Sequence, residues 1–243
     1  MPTYRLDFSY DGTGFHGFAA QPGVRTVQGE LEQALSKVFR QPIETVAAGR
    51  TDAGVHARRQ VVSFLAERVV AVSTVARAVT SMLGPEVVAH GAGEVPDDFS
   101  ARFSARSRTY RYQILNGPVP DPLRRHTTWH VSHPLDLDAM NVASSAFVGE
   151  HDFAAFCRRR DGAGTERTVH EARWAFDGDL VVFSIRAKAF CHQMVRSLAG
   201  FCVDVGRGAV DPATVPAVLE AGDRSRSRQI APPHGLILWD VEY

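Results

Sequence analysis

The stretch best suited to chemistry is Ala48-Gly49-Arg50-Thr51-Asp52-Ala53-Gly54-Val55-His56-Ala57. It places a carboxylate between two glycines and beside an arginine, with small side chains on both flanks. Glycine permits unusual backbone angles and close approach of a ligand, so Asp52 can project from a tight turn into a cleft. Arg50 favours the ionised carboxylate that a nucleophile or general base requires. An Asp next to Gly in a loop also reads as an Asx turn, and spacing alone leaves both readings open. No second acid accompanies Asp52 in its loop. Glycosidases want two neighbouring carboxylates and metal nucleases several acidic ligands, so neither class fits well.

Cations are the other chemically suggestive group. Of 27 basic side chains, all but Lys37 and Lys188 are arginine. Between Ser100 and His130 there are six of them (Arg102, Arg106, Arg108, Arg111, Arg124, Arg125) against one acid, Asp121. Arg158-Arg159-Arg160 and Arg224-Ser-Arg226-Ser-Arg228 are further clusters. Guanidinium forks match phosphate oxygens and stack on bases, so these clusters read either as a positive cleft or as solvated surface charge. Arg196 differs, because it interrupts an apolar run from Phe190 to Val205. An unpaired charge there would be expensive; one reading is an arginine snorkelling to water from a helix end.

The elements that must position these residues follow from periodicity. In the first hundred residues the order is βαββαβ, the ferredoxin-like pattern. A strand over 4–9 precedes a helix capped by Thr26, with Val27, Leu31, Ala34, Leu35, Val38 and Phe39 on one face and Pro42 as its stop. A strand over 43–48 leads into the Asp52 loop, and another runs over 56–65. Ser73 caps a second helix with Val75, Val79, Met82 and Leu83 inward, and a strand over 87–95 closes the unit. The second half is less regular. It has strands over 109–115 and 127–131, a helix over 137–147, and a hairpin of strands 168–176 and 180–187 about Asp177-Gly178. A helix over 190–205, a shorter one over 212–219 and a last strand from Leu236 follow. Two domains are expected, 1–103 carrying the Asp52 loop and 104–243 carrying Tyr110, Arg196 and the Leu236 strand.

Composition sets the outer bounds. The 243 residues are 44% apolar and 22% charged, outside the disordered, collagen-like and membrane classes. No apolar run is long enough to span a membrane, and the N-terminus lacks the apolar core of a signal peptide, so a cytoplasmic protein is expected. Cys157, Cys191 and Cys202 form no CxxC and are odd in number, which points to reduced thiols. No metal-ligand spacing is present among the ten histidines.

Several motifs resemble, in order along nearly the whole chain, those of the tRNA pseudouridine synthase A family. They are Tyr10-Asp11-Gly12 with Phe15, Gly17 and Val27-Gln28; GRTDAGVHA at 49–57; the run from Phe99 to Tyr112; F-x-H-x-M-V-R at Phe190–Arg196; and Gly235-Leu236-Ile-Leu. Family members carry Trp and Gln after the glycine of the first motif, where this chain has Phe18-Ala19-Ala20. The resemblance implies an α+β fold of two ferredoxin-like (βαββαβ-type) halves, with mixed or antiparallel sheets flanking a central RNA-binding cleft.

It also implies isomerisation of uridine to pseudouridine at positions 38, 39 and 40 of the tRNA anticodon stem-loop, without a cofactor or metal. On this reading Asp52 is the catalytic nucleophile or base, Tyr110 stacks under the base, Arg196 is the ion-pair partner of Asp52, and Leu236 walls the base pocket. Without the motif, Tyr110 would read as a half-buried strand tyrosine paired with Tyr112. The target base must leave its stack to be reached. Arg58 and Arg59, directly after the loop, are expected to grip flanking phosphates, although they also read as ordinary strand-edge charges. His56 and His192 have the reactivity of proton carriers, but the family mechanism does not require them, and a hydrogen-bonded structural role is expected. The family's partners are tRNA and a second copy of the chain, as a homodimer. Competing readings are a noncatalytic RNA-binding protein on the same scaffold and a carboxylate-dependent hydrolase.

Overall fold

The structure is a computed structural model that describes residues 1–243 except 159–161, 163 and 228, and it divides into two compact units, Met1–Arg106 with Ile237–Tyr243, and Ser107–Leu236. The first unit is built from β1 (Thr3–Tyr10), α1 (Val27–Phe39), β2 (Val46–Ala47), β3 (His56–Leu65), α2 (Val72–Leu83) and β4 (Val87–Val95). Strand β1 lies between β4 and β3, antiparallel to both, and β2 pairs antiparallel with β3. That is the ferredoxin-like arrangement. Tyr4, Leu6, Phe8 and Tyr10 alternate into the core along β1. The Tyr4 ring meets Phe39 of α1 at 5.1 Å and Phe64 of β3 at 5.5 Å, so one aromatic cluster ties helix to sheet.

Local chemistry explains where the elements start and stop. Thr26 caps α1, its side chain accepting from the Gly29 N–H at 3.2 Å. The helix ends on Arg40 in the left-handed region (φ 54°), two residues before Pro42. The strand expected over 43–48 shrinks to Val46–Ala47, because α1 side chains take the backbone donors before it. Ser36 accepts from the Ile43 N–H at 3.0 Å, and Glu32 from the Thr45 N–H at 2.8 Å. Helix α2 begins one residue before Ser73, with no side-chain cap, and Met82 faces outward.

The second unit contains β5 (Ser107–Asn116), β6 (Trp129–Val131), α3 (Leu137–Ser145), β7 (Gly149–Asp152), β8 (Glu166–Asp177), β9 (Leu180–Ala187), α4 (Met194–Gly206) and α5 (Val215–Ala221). Its strands run β5-β9-β8-β7 with antiparallel neighbours, and β6 adds in parallel to β5. The β8–β9 hairpin turns at Gly178-Asp179, one residue beyond the expected Asp177-Gly178, because Asp177 still pairs with Leu180; Gly178, at φ 64°, takes the first turn position. Phe147, Phe156 and Phe201 pack edge to face beside α4, whose side chains are almost all buried. The helix expected from Phe190 begins only at Met194, because Gln193 sits in the left-handed region (φ 65°). The last strand, β10 (Leu236–Glu242), returns to the first unit, where Ile237 and Leu238 pair in parallel with His56 and Ala57 of β3.

The expectation of reduced thiols is corrected. Cys157 and Cys191 are joined as a disulfide, their Cα atoms 5.8 Å apart. The Arg158 N–H donates to the His192 carbonyl at 2.9 Å, and this backbone pairing brings the two cysteines together across 34 residues. Cys202 remains a free buried thiol, raised to about 11 by its burial. No helix of the described residues is long and apolar enough to cross a membrane.

Candidate active site

Asp52 sits half-buried in the loop between β2 and β3, and buried contacts hold that loop on both sides. On the N-terminal side the Gln60 side chain straddles Gly49. Its Nε2 donates to the Gly49 carbonyl at 2.7 Å, and its Oε1 accepts from the Gly49 N–H at 3.3 Å. Next to Asp52, the Thr51 hydroxyl lies 2.7 Å from the Tyr10 hydroxyl, and the Thr51 carbonyl accepts from the Phe18 N–H at 3.1 Å. After Asp52 the chain turns sharply, its carbonyl accepting from the Val55 N–H at 3.1 Å, with Gly54 at φ 77°. Gly12 packs against this turn so closely that a Cβ there would overlap the Val55 carbonyl.

Electrostatics follow from these placements. Burial raises the Tyr10 hydroxyl to about 12, against the opposing hydrogen bonds of Thr51 and Gln60, so it keeps its proton at neutral pH. His56 is buried. Its Nδ1 accepts from the Gly12 N–H at 3.0 Å and lies 3.1 Å from an Asp11 oxygen. One nitrogen cannot accept and donate at once. With Nδ1 bare it accepts from Gly12; with a hydrogen on Nδ1, in the other neutral tautomer or in the imidazolium, it donates to Asp11. Burial pushes the Asp11 carboxyl up, but the two Thr13 hydrogen bonds and the His56 ring outweigh it and hold the carboxyl below its usual value.

The arginines flanking the loop have different surroundings. Arg50 is exposed. The Arg58 guanidinium lies over the Trp239 ring at 4.4 Å, and Arg59 pairs with Asp240 at 3.0 Å. Both are exposed at consecutive positions of β3, a break in its alternation.

The second unit holds the other motif residues. Tyr110, in β5, is buried to 8% exposure, with its ring edge-on to Phe190 at 5.1 Å. Two residues on, the fully buried Tyr112 donates its hydroxyl to the Pro232 carbonyl at 2.8 Å. Burial raises that hydroxyl strongly, although the charge of Arg196 pulls the other way. Arg196, in the first turn of α4, donates from Nε to the Ala231 carbonyl at 2.8 Å. Gln193 accepts from Arg224 at 2.6 Å. Burial lowers Arg224, and the nearby Arg158 lowers it further. Arg159, Arg160 and Arg228 lie outside the described residues. Leu236, buried, follows a turn in which Gly235 presses on the Tyr112 ring.

Neither motif nor spacing gives Gln60, Tyr10 or Thr51 a role at the site. The available signal was an amide at the head of a Val-Val-Ser-Phe run. Among the described residues no group of three or more histidines, cysteines or acids is gathered to hold a metal ion.

The α+β scaffold thus carries a carboxylate on a braced loop, a tyrosine on a strand and an arginine on a helix. The family model described as tRNA pseudouridine synthase matches residues 8–104 and 143–243. The chain is 47% identical over 242 residues to the tRNA pseudouridine synthase A of Frankia casuarinae, covering 98% of this chain and 88% of the relative. It is 41% identical to that of Pelobacter propionicus, covering 100% of each. A solved Cbf5-Nop10-Gar1 complex contains a chain 14% identical, matched over 82% of this chain and 54% of that one at a TM-score of 0.33. The chain belongs to the tRNA pseudouridine synthase A family. It is a pseudouridine synthase, an isomerase.

Proposed function

We propose that the enzyme isomerises uridine at positions 38, 39 and 40 of the tRNA anticodon stem-loop, with Asp52 as its nucleophile or base. In this reaction the bond from N1 to the ribose C1′ breaks, the base turns, and C5 bonds to C1′. The C5 hydrogen leaves as a proton and N1 gains one, so nothing is oxidised and no cofactor or metal is needed. Asp52 acts at the sugar in its ionised form. Tyr110 stacks against the turned-out base, Leu236 walls the pocket, Arg196 keeps the carboxylate charged, and Arg50, Arg58 and Arg59 face the RNA backbone. The enzyme works on tRNA in the cytoplasm, as a homodimer.

The single observation supporting this reading is that GRTDAGVHA, the sequence shared with the family, is a loop braced by hydrogen bonds at Gly49 and Thr51 before Asp52 and at His56 after it. A noncatalytic RNA-binding protein would have no need to brace a lone carboxylate in this way. The test uses unmodified tRNA tritiated at uridine C5, with wild type and Asp52→Asn, in EDTA. Release by wild type alone is expected, and it should disappear when uridines 38–40 are replaced by cytidine. Release from both proteins would mean that another group does the chemistry.

A further inference from the structure

We infer that Gln60 and Tyr10 are positioning residues for the reaction: two buried side chains that grip the backbone at Gly49 and Thr51 and so aim the Asp52 carboxylate. This inference rests on the reading of Asp52 above.

The argument begins with β3. From Gln60 to Phe64 every residue is buried, and its neighbours are Val61, Val62, Ser63 and Phe64. A fully buried amide in such a strand costs free energy unless each polar atom is paired. Gln60 directs its amide to the Asp52 loop. It donates to the Gly49 carbonyl and accepts from the Gly49 N–H, pairing with that residue as a neighbouring strand would. Its Nε2 also reaches the Tyr10 hydroxyl at 3.5 Å, and its Oε1 accepts from the Val61 N–H at 3.2 Å.

Tyr10 extends the chain of contacts to Thr51, the residue bonded to Asp52. Its hydroxyl is raised by burial, so the contact persists as a neutral hydrogen bond throughout the physiological range. The loop therefore has anchors at Gly49 and Thr51, and a turn bond from Val55 to the Asp52 carbonyl. Gly49 and Gly54 would otherwise leave this loop conformationally loose. A reacting carboxylate tolerates little looseness, since a misplacement of about 1 Å can cost roughly a hundredfold in rate.

Stability alone does not require these groups. Replacing both partners of a buried hydrogen bond by apolar groups of the same shape is often nearly neutral, whereas replacing one leaves the other unsatisfied. This separates positioning from structure. Tyr10→Phe and Thr51→Val should each lower the single-turnover rate of tritium release about tenfold, with tRNA affinity within about twofold of wild type. The double variant Tyr10→Phe with Thr51→Val should recover thermal stability but not rate, and Thr51→Ser should recover most of what Thr51→Val loses. Gln60→Met should lower the rate at least as far as Tyr10→Phe.

A wild-type rate in Tyr10→Phe and Thr51→Val would overturn the inference, as would recovery of rate together with stability in the double variant. If Gln60→Met does not fold, the Tyr10 and Thr51 series still decides. Asp52→Asn, run alongside, keeps the two levels apart. Inactive Asp52→Asn with fully active Tyr10→Phe defeats only the clamp, and active Asp52→Asn defeats the underlying reading as well.

Discussion

Arg196 and Ala231 exchange two hydrogen bonds: the arginine Nε donates to the Ala231 carbonyl at 2.8 Å, and the Arg196 carbonyl accepts from the Ala231 N–H at 3.0 Å. This reciprocal pairing lays the segment before Leu236 along the first turn of α4. Tyr112 adds a third tie through the Pro232 carbonyl. One strand tyrosine and one helix arginine thus set the approach to Leu236. The first bond also commits Nε and fixes the direction of the guanidinium.

Arg196→Lys tests this directly. Lysine keeps the charge but has no N–H at the ε position and no planar fork. The variant should lose at least tenfold in tritium release, on the order of the effect of losing a charge-assisted hydrogen bond. It should also unfold at a lower temperature. Unchanged rate and melting temperature would show that charge alone suffices.

Gly235→Ala probes the same segment. A Cβ there would lie 2.7 Å from the Tyr112 ring and 2.9 Å from the Gln113 carbonyl, closer than real contacts allow. The backbone must move, and Leu236 with it. A loss of about 1–3 kcal/mol in urea unfolding is expected, the usual range for overpacking, together with reduced activity. Stability equal to wild type would mean that the turn has room to spare.

Alkaline pH should weaken the fold through Tyr10. Its hydroxyl is raised to about 12, above the unfolded value of 10, so the folded state holds this proton more tightly. The resulting stability is fully present below pH 10 and is lost as pH rises from 10 through 12. For one such group the decline is about 3 kcal/mol. Tyr112 and Cys202, raised by burial in the same way, steepen the wild-type curve. Tyr10→Phe should therefore show a shallower loss between pH 10 and 12 in urea titrations. Identical slopes would refute the assignment.

Binding of tRNA should fall steeply with salt although the chain carries 27 basic and 27 acidic residues, because arginine–phosphate contacts release counterions. Arg58→Ala and Arg59→Ala should each lessen the slope of log affinity against log salt by about one. Arg59 must first give up Asp240, so Asp240→Asn should strengthen binding. Slopes unaffected by either alanine variant would remove these arginines from the RNA contact.

Local features are the ones legible in the amino-acid order. Thr26 capping α1, the presence of the β8–β9 hairpin and the bounds of β3 depend on residues within a few positions of each other, and they are legible. The motifs likewise named Asp52, Tyr110, Arg196 and Leu236 as the residues to watch. Tertiary structure decided whatever depended on a distant partner. Ser36 and Glu32 shortened β2 from across the α1 turn, Gln193 in a left-handed conformation delayed α4, and Cys191 met Cys157 through a backbone pairing. The braces of the site are of the same kind. Gln60 reaches Gly49 across 11 positions, Tyr10 reaches Thr51 across 41, and Arg196 reaches Ala231 across 35. Hydrophobic periodicity reports which face of an element is buried, but not which polar group waits there. A buried amide or hydroxyl acquires its partner only when packing removes water and leaves that partner within reach.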